Sequence, residues 1–321
     1  MNFYRILQHK CNLPKSDGRV LTLGSFDGLH LGHQKVINKV IEISRQKTLT
    51  PSLLSFYPHP SVRLKRAVSI PKITSLYQRL NLLTSFGIND FFLLNFTNQV
   101  SKMGWEQFCQ QILIDKLNVK HLIIGADARI GKGAQGNSVN IPEYFKSKNL
   151  DVSVCDLDMD SVGSKYSSRH IRDFITKGDL KQAKTMLGRD FQIHGAIIKG
   201  QQLGRKMGFP TANLYNVSMI TPPNGVYAVQ VQIVGQVGKL KGVMNIGVRP
   251  TVNSLNGLSE ATKTVEVHIL NYSSDIYGKK IVVDVFSKIR DEHKFDSIEQ
   301  LKNQIEQDCI IARNMLGFVE G

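Results

Sequence analysis

The hydrophobic pattern of this 321-residue chain changes once, near Gly188, and the change limits the folds that the chain can adopt. Before Gly188, short apolar segments alternate with amphipathic segments, which predicts a parallel sheet covered by helices. We predict strands at residues 20–23, 52–57, 91–96, 119–125 and 152–156, and helices at residues 32–47, 76–86, 105–117 and 168–187. After Gly188, short strands are separated by glycine, asparagine and proline, which predicts a small antiparallel barrel. We therefore expect an α/β domain over residues 1–185 and a barrel domain over residues 186–321.

One amphipathic helix, over residues 298–316, is expected to follow the barrel. Asp296 and Ser297 precede it, and Glu299 and Gln300 are placed to complete a capping box.

Composition and charge narrow the function classes. Hydrophobic residues make up 41% of the chain, enough for two buried cores. The four cysteines lie far apart without a C-x-x-C pair, which argues against a zinc site or a disulfide framework and favours the cytoplasm. No apolar segment approaches the roughly 20 residues that span a bilayer, so we expect no membrane partner. The net charge of +15 attracts anions, but basic residues form no long block, which argues against nucleic acid.

The segment GSFDGLHLGH, residues 24–33, lies where the first predicted strand leads into the first predicted helix. Helix N-termini at the carboxyl end of a parallel sheet bind phosphate, and glycines let the backbone approach it closely. His30 and His33 would donate hydrogen bonds to charge that develops on a phosphate, and we expect the pair to pack against little. Either histidine alone would more readily be interpreted as a buried side chain at a tight turn. A metal site is less favoured because no third ligand is evident nearby.

The spacing G-x-F-D-G-x-H-x-G-H resembles the H-x-G-H signature of nucleotidyltransferases. That resemblance implies a Rossmann-like α/β nucleotidyltransferase domain. The later segment GKGAQG, residues 131–136, matches a dinucleotide-binding pattern, but it does not directly follow a strand, and Pro142 interrupts the residues after it, where the pattern requires a helix. We therefore do not assign a dinucleotide site to it.

The second domain contains GRKMGFPTANL at residues 204–214, VEVHIL at residues 265–270 and IRDEHKF at residues 289–295. Phosphoryl transfer needs an aligned hydroxyl group and a metal ion bridging the phosphates, and a threonine hydroxyl with an asparagine carbonyl suits a hard cation. Glu266 alternates with Val265 and Val267, so it points to the opposite face of its strand. These segments strongly resemble the flavokinase module, which implies that Thr211 and Asn213 bind Mg²⁺ and that Glu266 is the general base.

Together, the two halves resemble the bacterial bifunctional riboflavin kinase/FMN adenylyltransferase family, the FAD synthetases. The resemblance implies ATP, riboflavin and FMN as substrates, with FMN made in the barrel domain and FAD in the α/β domain. It implies His30 and His33 as catalytic residues, and flavin binding by Asp127 and Arg290. It also implies ATP or phosphate binding by Gly24, Phe26, Asp27, Gly28, Ser168, Arg172, Gly204, Thr211 and Asn213. The sequence makes no prediction of self-association.

Three segments of the first domain depart from the family pattern. SSRHIR at residues 167–172 replaces S-S-T-x-I-R, DARIG at residues 127–131 lacks two aromatic residues, and Tyr57 replaces an acidic residue before P-H-P. One alternative is therefore a riboflavin kinase with a weak or re-purposed adenylyltransferase domain. A flavin- or nucleic-acid-binding regulator without catalysis is a further alternative, but the retained set of candidate catalytic residues argues against it.

Overall fold

The computed structural model describes residues 1–6, 13, 15–156, 166–200, 204, 207–215, 219–250 and 261–317. The chain divides into two compact units. The first comprises Met1–Ile70 and Leu76–Ser168, and the second comprises Pro71–Ser75 and Arg169–Gly321.

The first unit is built on a six-stranded sheet in which all strands are parallel, as the sequence predicts. The strands are β1 (Asn2–Ile6), β2 (Arg19–Leu23), β3 (Thr50–Tyr57), β4 (Asp90–Asn95), β5 (Val119–Gly125) and β6 (Asp151–Cys155), in the order β1-β4-β3-β2-β5-β6. Strand β1 is not among the predicted strands. It is an edge strand in which only Ile6 is fully buried, so it lacks the apolar run of the central strands.

Helices cover both faces of this sheet. They are α1 (Leu31–Lys47), α2 (Pro60–Arg63), α3 (Leu76–Phe86), α4 (Asn98–Lys102), α5 (Trp105–Phe108) and α6 (Asn140–Ser147). Helix α5 continues as a π-helix over Cys109–Lys116, within the predicted helix at 105–117. One face of α1 is apolar, since Val36, Ile37 and Val40 pack in one core with Leu53 and Phe91.

The second unit holds α7 (Ser168–Lys177) from Arg169 onward, and α8 (Leu180–Leu187). The prediction of one continuous helix over 168–187 is wrong, because Gly178 has a φ of +82° and Asp179 caps a new helix by accepting from the Gln182 amide. A positive φ at glycine ends a helix at little cost.

The predicted antiparallel barrel is confirmed as a closed barrel of six strands in the order β10-β11-β8-β7-β12-β9. The strands are β7 (Phe191–Ile198), β8 (Thr211–Tyr215), β9 (Gly225–Ile233), β10 (Leu240–Pro250), β11 (Ala261–Ile269) and β12 (Lys280–Arg290).

The predicted final helix is also present, as α9 (Ile298–Met315). Ser297 Oγ accepts from the Gln300 amide, as the predicted capping box requires. Gln300 Oε1 accepts from the Asp296 amide, one residue before the Ser297 amide that a capping box would use. The helix packs on the outside of the barrel through Cys309 and Ala312.

Among the described residues, no helix is long and apolar enough to cross a membrane. Cys109, Cys155 and Cys309 are free thiols, and Cys11 lies outside the described residues.

Candidate active sites

The first candidate site is the turn between β2 and α1. Phe26, Gly28 and Leu29 all have positive φ, of 48°, 85° and 41°. For the two residues with side chains, this conformation costs roughly 1–2 kcal/mol each. Both side chains are buried, which offsets that cost. The turn carries the backbone past the carboxyl end of the sheet, directly ahead of the N-terminus of α1.

The two predicted histidines lie against each other at this helix N-terminus. Their ring centroids are 3.6 Å apart, and the Phe26 ring lies 4.8 Å from that of His33. His30 is the N-cap of α1, since its Nδ1 accepts from the His33 amide at 3.3 Å. The expectation that the pair packs against little is wrong, because His30 is only 5% exposed and caps the helix. His30 therefore has a structural role at the start of α1, and both rings lie at the helix end where we expect a phosphate.

The electrostatics of the site favour a neutral imidazole at His33. Burial, followed by the charges of His30 and Arg79, holds the pKa of His33 well below its ordinary value. Nδ1 of His33 is buried and has no hydrogen-bond partner among the described residues. A neutral His33 can donate a hydrogen bond from one ring nitrogen without adding a positive charge beside Arg79.

The glycine of H-x-G-H, Gly32, is tightly packed. A Cβ atom at Gly32 would lie 3.1 Å from Tyr166 Cβ and 3.3 Å from the His30 ring. Tyr166, whose ring centroid is 6.5 Å from that of His30, thus forms a further wall of this site that the sequence did not predict.

Ser168 also reaches this turn, as predicted, since its Oγ donates to the Asp27 carbonyl oxygen at 2.8 Å. Arg172 lies one turn further along α7, in the second compact unit, where its Nε donates to the Pro71 carbonyl oxygen at 2.8 Å.

Arg79 of α3 is a second residue of this site that the sequence did not predict. Its Nη1 donates to the Ser25 carbonyl oxygen at 2.9 Å, and its Nη2 lies 3.7 Å from Asp27 Oδ1. The sequence could have indicated that Arg79 is buried, because it lies four residues before Leu83 and therefore on the same buried face of an amphipathic helix.

The segment GKGAQG forms a small hairpin closed by hydrogen bonds between Ile130 and Gly136. A Cβ atom at Gly131 would lie 2.4 Å from the Trp105 backbone, and one at Gly136 would lie 2.7 Å from the Trp105 side chain. Packing against Trp105 therefore accounts for these glycines without a nucleotide. Asp127 is exposed in the loop between β5 and this hairpin.

The second candidate site is a row of polar side chains on the outer face of the barrel. Glu266 of β11 lies directly opposite Asn213 of β8 on one side and Asn245 of β10 on the other. Its neighbours Val265 and Val267 are fully buried, so Glu266 points away from the barrel interior, as predicted. Cross-strand partners share a face, which places Asn213, Glu266 and Asn245 side by side. Asn245 was missed because its position depends on strand register.

Glu266 and Asn245 of this row line a cavity of about 380 Å³ between the barrel and α9. Thr211, Asn245 and Glu266 supply polar groups on the barrel side, and Phe295, Leu301 and Ile305 supply an apolar wall. Charged side chains also line the cavity, among them Glu292 and Asp308, so it combines an apolar wall with convergent polar groups, as small-molecule sites do.

Arg290, predicted to bind flavin, lines the same cavity. Its Nε and Nη2 donate to the Asp308 carboxylate at 2.8 and 2.7 Å, and its guanidinium lies over the Phe295 ring. Asp308 belongs to α9, so this bidentate pair joins the helix to the end of β12 and shapes the cavity wall.

The predicted magnesium ligands fit a hard cation. Thr211 and Asn213 alternate along β8, so their side chains lie on the same face as Glu266, and all three offer oxygen. A Cβ atom at Gly200 would lie 2.3 Å from the Asn213 amide nitrogen, and one at Gly204 would lie 3.4 Å from Thr211 Oγ1. The backbone at Gly200 therefore approaches the Asn213 side chain so closely that a larger residue would not fit there without a shift.

Two family models match the chain. The FAD synthetase model matches residues 13–170, and the riboflavin kinase model matches residues 187–316. A relative from Bacillus subtilis, a bifunctional riboflavin kinase/FMN adenylyltransferase, is 37% identical over 90% of either chain. A relative of the same description from Escherichia coli K12 is 32% identical over 97% of either chain. The chain belongs to the bifunctional riboflavin kinase/FMN adenylyltransferase family.

A solved structure described as a macrolide-efflux protein from Streptococcus pneumoniae is also similar. It is 28% identical, with a TM-score of 0.83, and the match covers 97% of this chain and 99% of that one. Membership of the bifunctional family confirms the resemblance inferred from the motifs. The FAD synthetase match ends just after Ser168, and the riboflavin kinase match begins just before β7.

Proposed function

We propose that this chain makes FMN and FAD from riboflavin, in two steps that each consume ATP. The observation that carries the proposal is the presence in one chain of two distinct phosphate-directed sites. One is the histidine pair at the N-terminus of α1, and the other is the row of Asn213, Glu266 and Asn245 at the cavity between the barrel and α9.

In the first step, the barrel unit phosphorylates riboflavin. Glu266 accepts the proton of the ribityl 5′-hydroxyl, whose oxygen attacks the γ-phosphorus of ATP, and ADP leaves. The flavin ring occupies the apolar cavity, whose wall is held by Arg290 and Asp308. Thr211 and Asn213 would hold Mg²⁺, which neutralises phosphate charge when bound.

In the second step, the α/β unit transfers an adenylyl group. A phosphate oxygen of FMN attacks the α-phosphorus of ATP, the bond to the bridging oxygen breaks, and pyrophosphate leaves. His30 and His33, at the N-terminus of α1, donate hydrogen bonds to the phosphate oxygens, where negative charge develops. Roles for Ser168 and Arg172 in binding the triphosphate, for Asp127 in binding flavin, and a cytoplasmic location stay predictions.

The test is chromatography of riboflavin, FMN and FAD after incubation with ATP and Mg²⁺. Riboflavin alone should yield FMN and then FAD, and supplied FMN should yield FAD without riboflavin kinase activity. Failure to form FMN from riboflavin would overturn the kinase assignment.

A second candidate function is a riboflavin kinase whose α/β unit acts slowly or on another acceptor. The observation that favours it is the exposed Arg169, which stands where the family pattern has a threonine hydroxyl. Accumulation of FMN without FAD in the same assay would select this candidate.

A further inference from the structure

The buried cation Arg79 is not explained by stability alone. It is 8% exposed, and its Nε is buried without a hydrogen-bond partner among the described residues. Burying a guanidinium that is not fully paired costs free energy, so an apolar residue at this position would make the folded state more stable. The polar contacts of its two Nη atoms are both to the turn before α1.

Those contacts act on the part of the turn with the least favourable backbone. Nη1 of Arg79 binds the carbonyl oxygen of Ser25, and Nη2 lies 3.7 Å from the carboxylate of Asp27. Asp27 in turn accepts from Ser168 through its own carbonyl oxygen. Arg79 and Ser168 therefore hold the turn from two different helices, through the residues on either side of Phe26.

We propose that Arg79 is a positioning residue for adenylyl transfer, which fixes the phosphate-binding turn through Ser25 and Asp27. This inference rests on the proposed adenylyltransferase function. The guanidinium does two separable things: its fork contacts two points of the turn, and its charge lies close enough to His33 to oppose protonation of that ring.

The groups that face His33 are His30 from the turn, Arg79 from α3, and Asp27, which partly neutralises Arg79. Replacing Arg79 by a neutral side chain removes a positive charge, so the pKa of His33 rises. The acid side of the pH profile for FAD formation should then move to higher pH. A lysine at this position keeps the positive charge but cannot contact both Ser25 and Asp27 with the two Nη groups of a guanidinium.

The experiment compares Arg79→Lys and Arg79→Met in the full chain, measuring kcat and KM for FAD formation from FMN across pH, with riboflavin kinase activity in the same samples. We expect Arg79→Met to lower kcat for FAD formation on the order of 100-fold, the scale for a misplaced catalytic element. Its pH profile should shift, while kinase activity stays within twofold. Arg79→Lys should lower kcat with an unshifted pH profile.

The matched control is Arg19→Met. Arg19 is also a buried arginine of the first unit, paired with Asp90 at 3.3 Å, but it begins β2, whereas the turn follows the end of that strand. The Arg19→Met variant should have a lower melting temperature, but its pH profile of FAD formation should be unchanged.

The proposal is overturned if folded Arg79→Lys forms FAD at the wild-type rate, which decides the matter even where Arg79→Met does not fold. It is equally overturned if Arg19→Met reproduces the loss and the pH shift. A wild-type chain that forms no FAD would instead overturn the proposed adenylyltransferase function, whatever the variants do.

Discussion

His30 has two roles that different substitutions separate. It caps α1 through Nδ1, and its ring stacks on His33 at 3.6 Å. His30→Ala removes the cap, worth about 1 kcal/mol, and the ring contact, worth roughly 1 kcal/mol. The first unit should therefore lose roughly 2 kcal/mol, or roughly 4–8 °C in melting temperature. His30→Asn restores a side-chain acceptor that caps helices well, so about half of the loss should return.

Activity should not follow stability in these two variants. Asparagine caps the helix but does not present an imidazole donor to the phosphate, so both variants should form FAD on the order of 100-fold more slowly. The assay is thermal unfolding and FAD formation from FMN on the same preparation. Asp179→Ala, which removes the cap of α8, should lower stability without slowing FAD formation. Equal destabilisation by alanine and asparagine would refute the capping role of His30, and normal FAD formation by His30→Asn would refute its phosphate role.

Three further predictions concern both units. Glu266→Gln should reduce FMN formation by about 10²- to 10⁴-fold while FAD formation from supplied FMN persists, and near-normal kinase activity would contradict the general-base role. Because the pKa of His33 is lowered in the folded state, the unfolded state binds the extra proton below about pH 6.5. Urea unfolding should thus show that the free energy of unfolding falls as the pH drops below that value, and falls less steeply in His33→Gln. Equal pH dependence in the two proteins would argue against a lowered pKa at His33. A fragment of residues 169–321 should melt higher than residues 186–321, since the shorter one lacks Leu180 and Ala183, which are buried in α8; equal melting temperatures would contradict this.

The parts of both sites that the sequence predicts are those that lie within short segments. The spacing of His30 and His33 fixes their neighbourhood because one helix turn separates them. The outward direction of Glu266 follows from the alternation of a single strand. In each case the local period determines the geometry, and no distant part of the chain is needed.

The missed parts depend on contacts between distant segments. Arg79 is 54 residues from Ser25, and Asn245 becomes a neighbour of Glu266 only through the register of β10 and β11. Even the prediction of Ser168 depends on the family resemblance, because its contact with Asp27 spans 141 residues. Two local errors have local causes. An exposed edge strand lacks an apolar run, and Gly178 interrupts a helical pattern that its flanking apolar residues continue.

The buried residues between the polar ones determine how accurately each site is built. Glu266 is placed by Val265 and Val267, which are fixed in the barrel core, so a change in either core residue would displace the carboxylate. In the α/β unit, the buried Phe26 and Leu29 hold the turn in a conformation that their backbones disfavour alone. Both sites therefore draw their geometry from core packing, and substitutions in these apolar residues should lower activity before they unfold the protein.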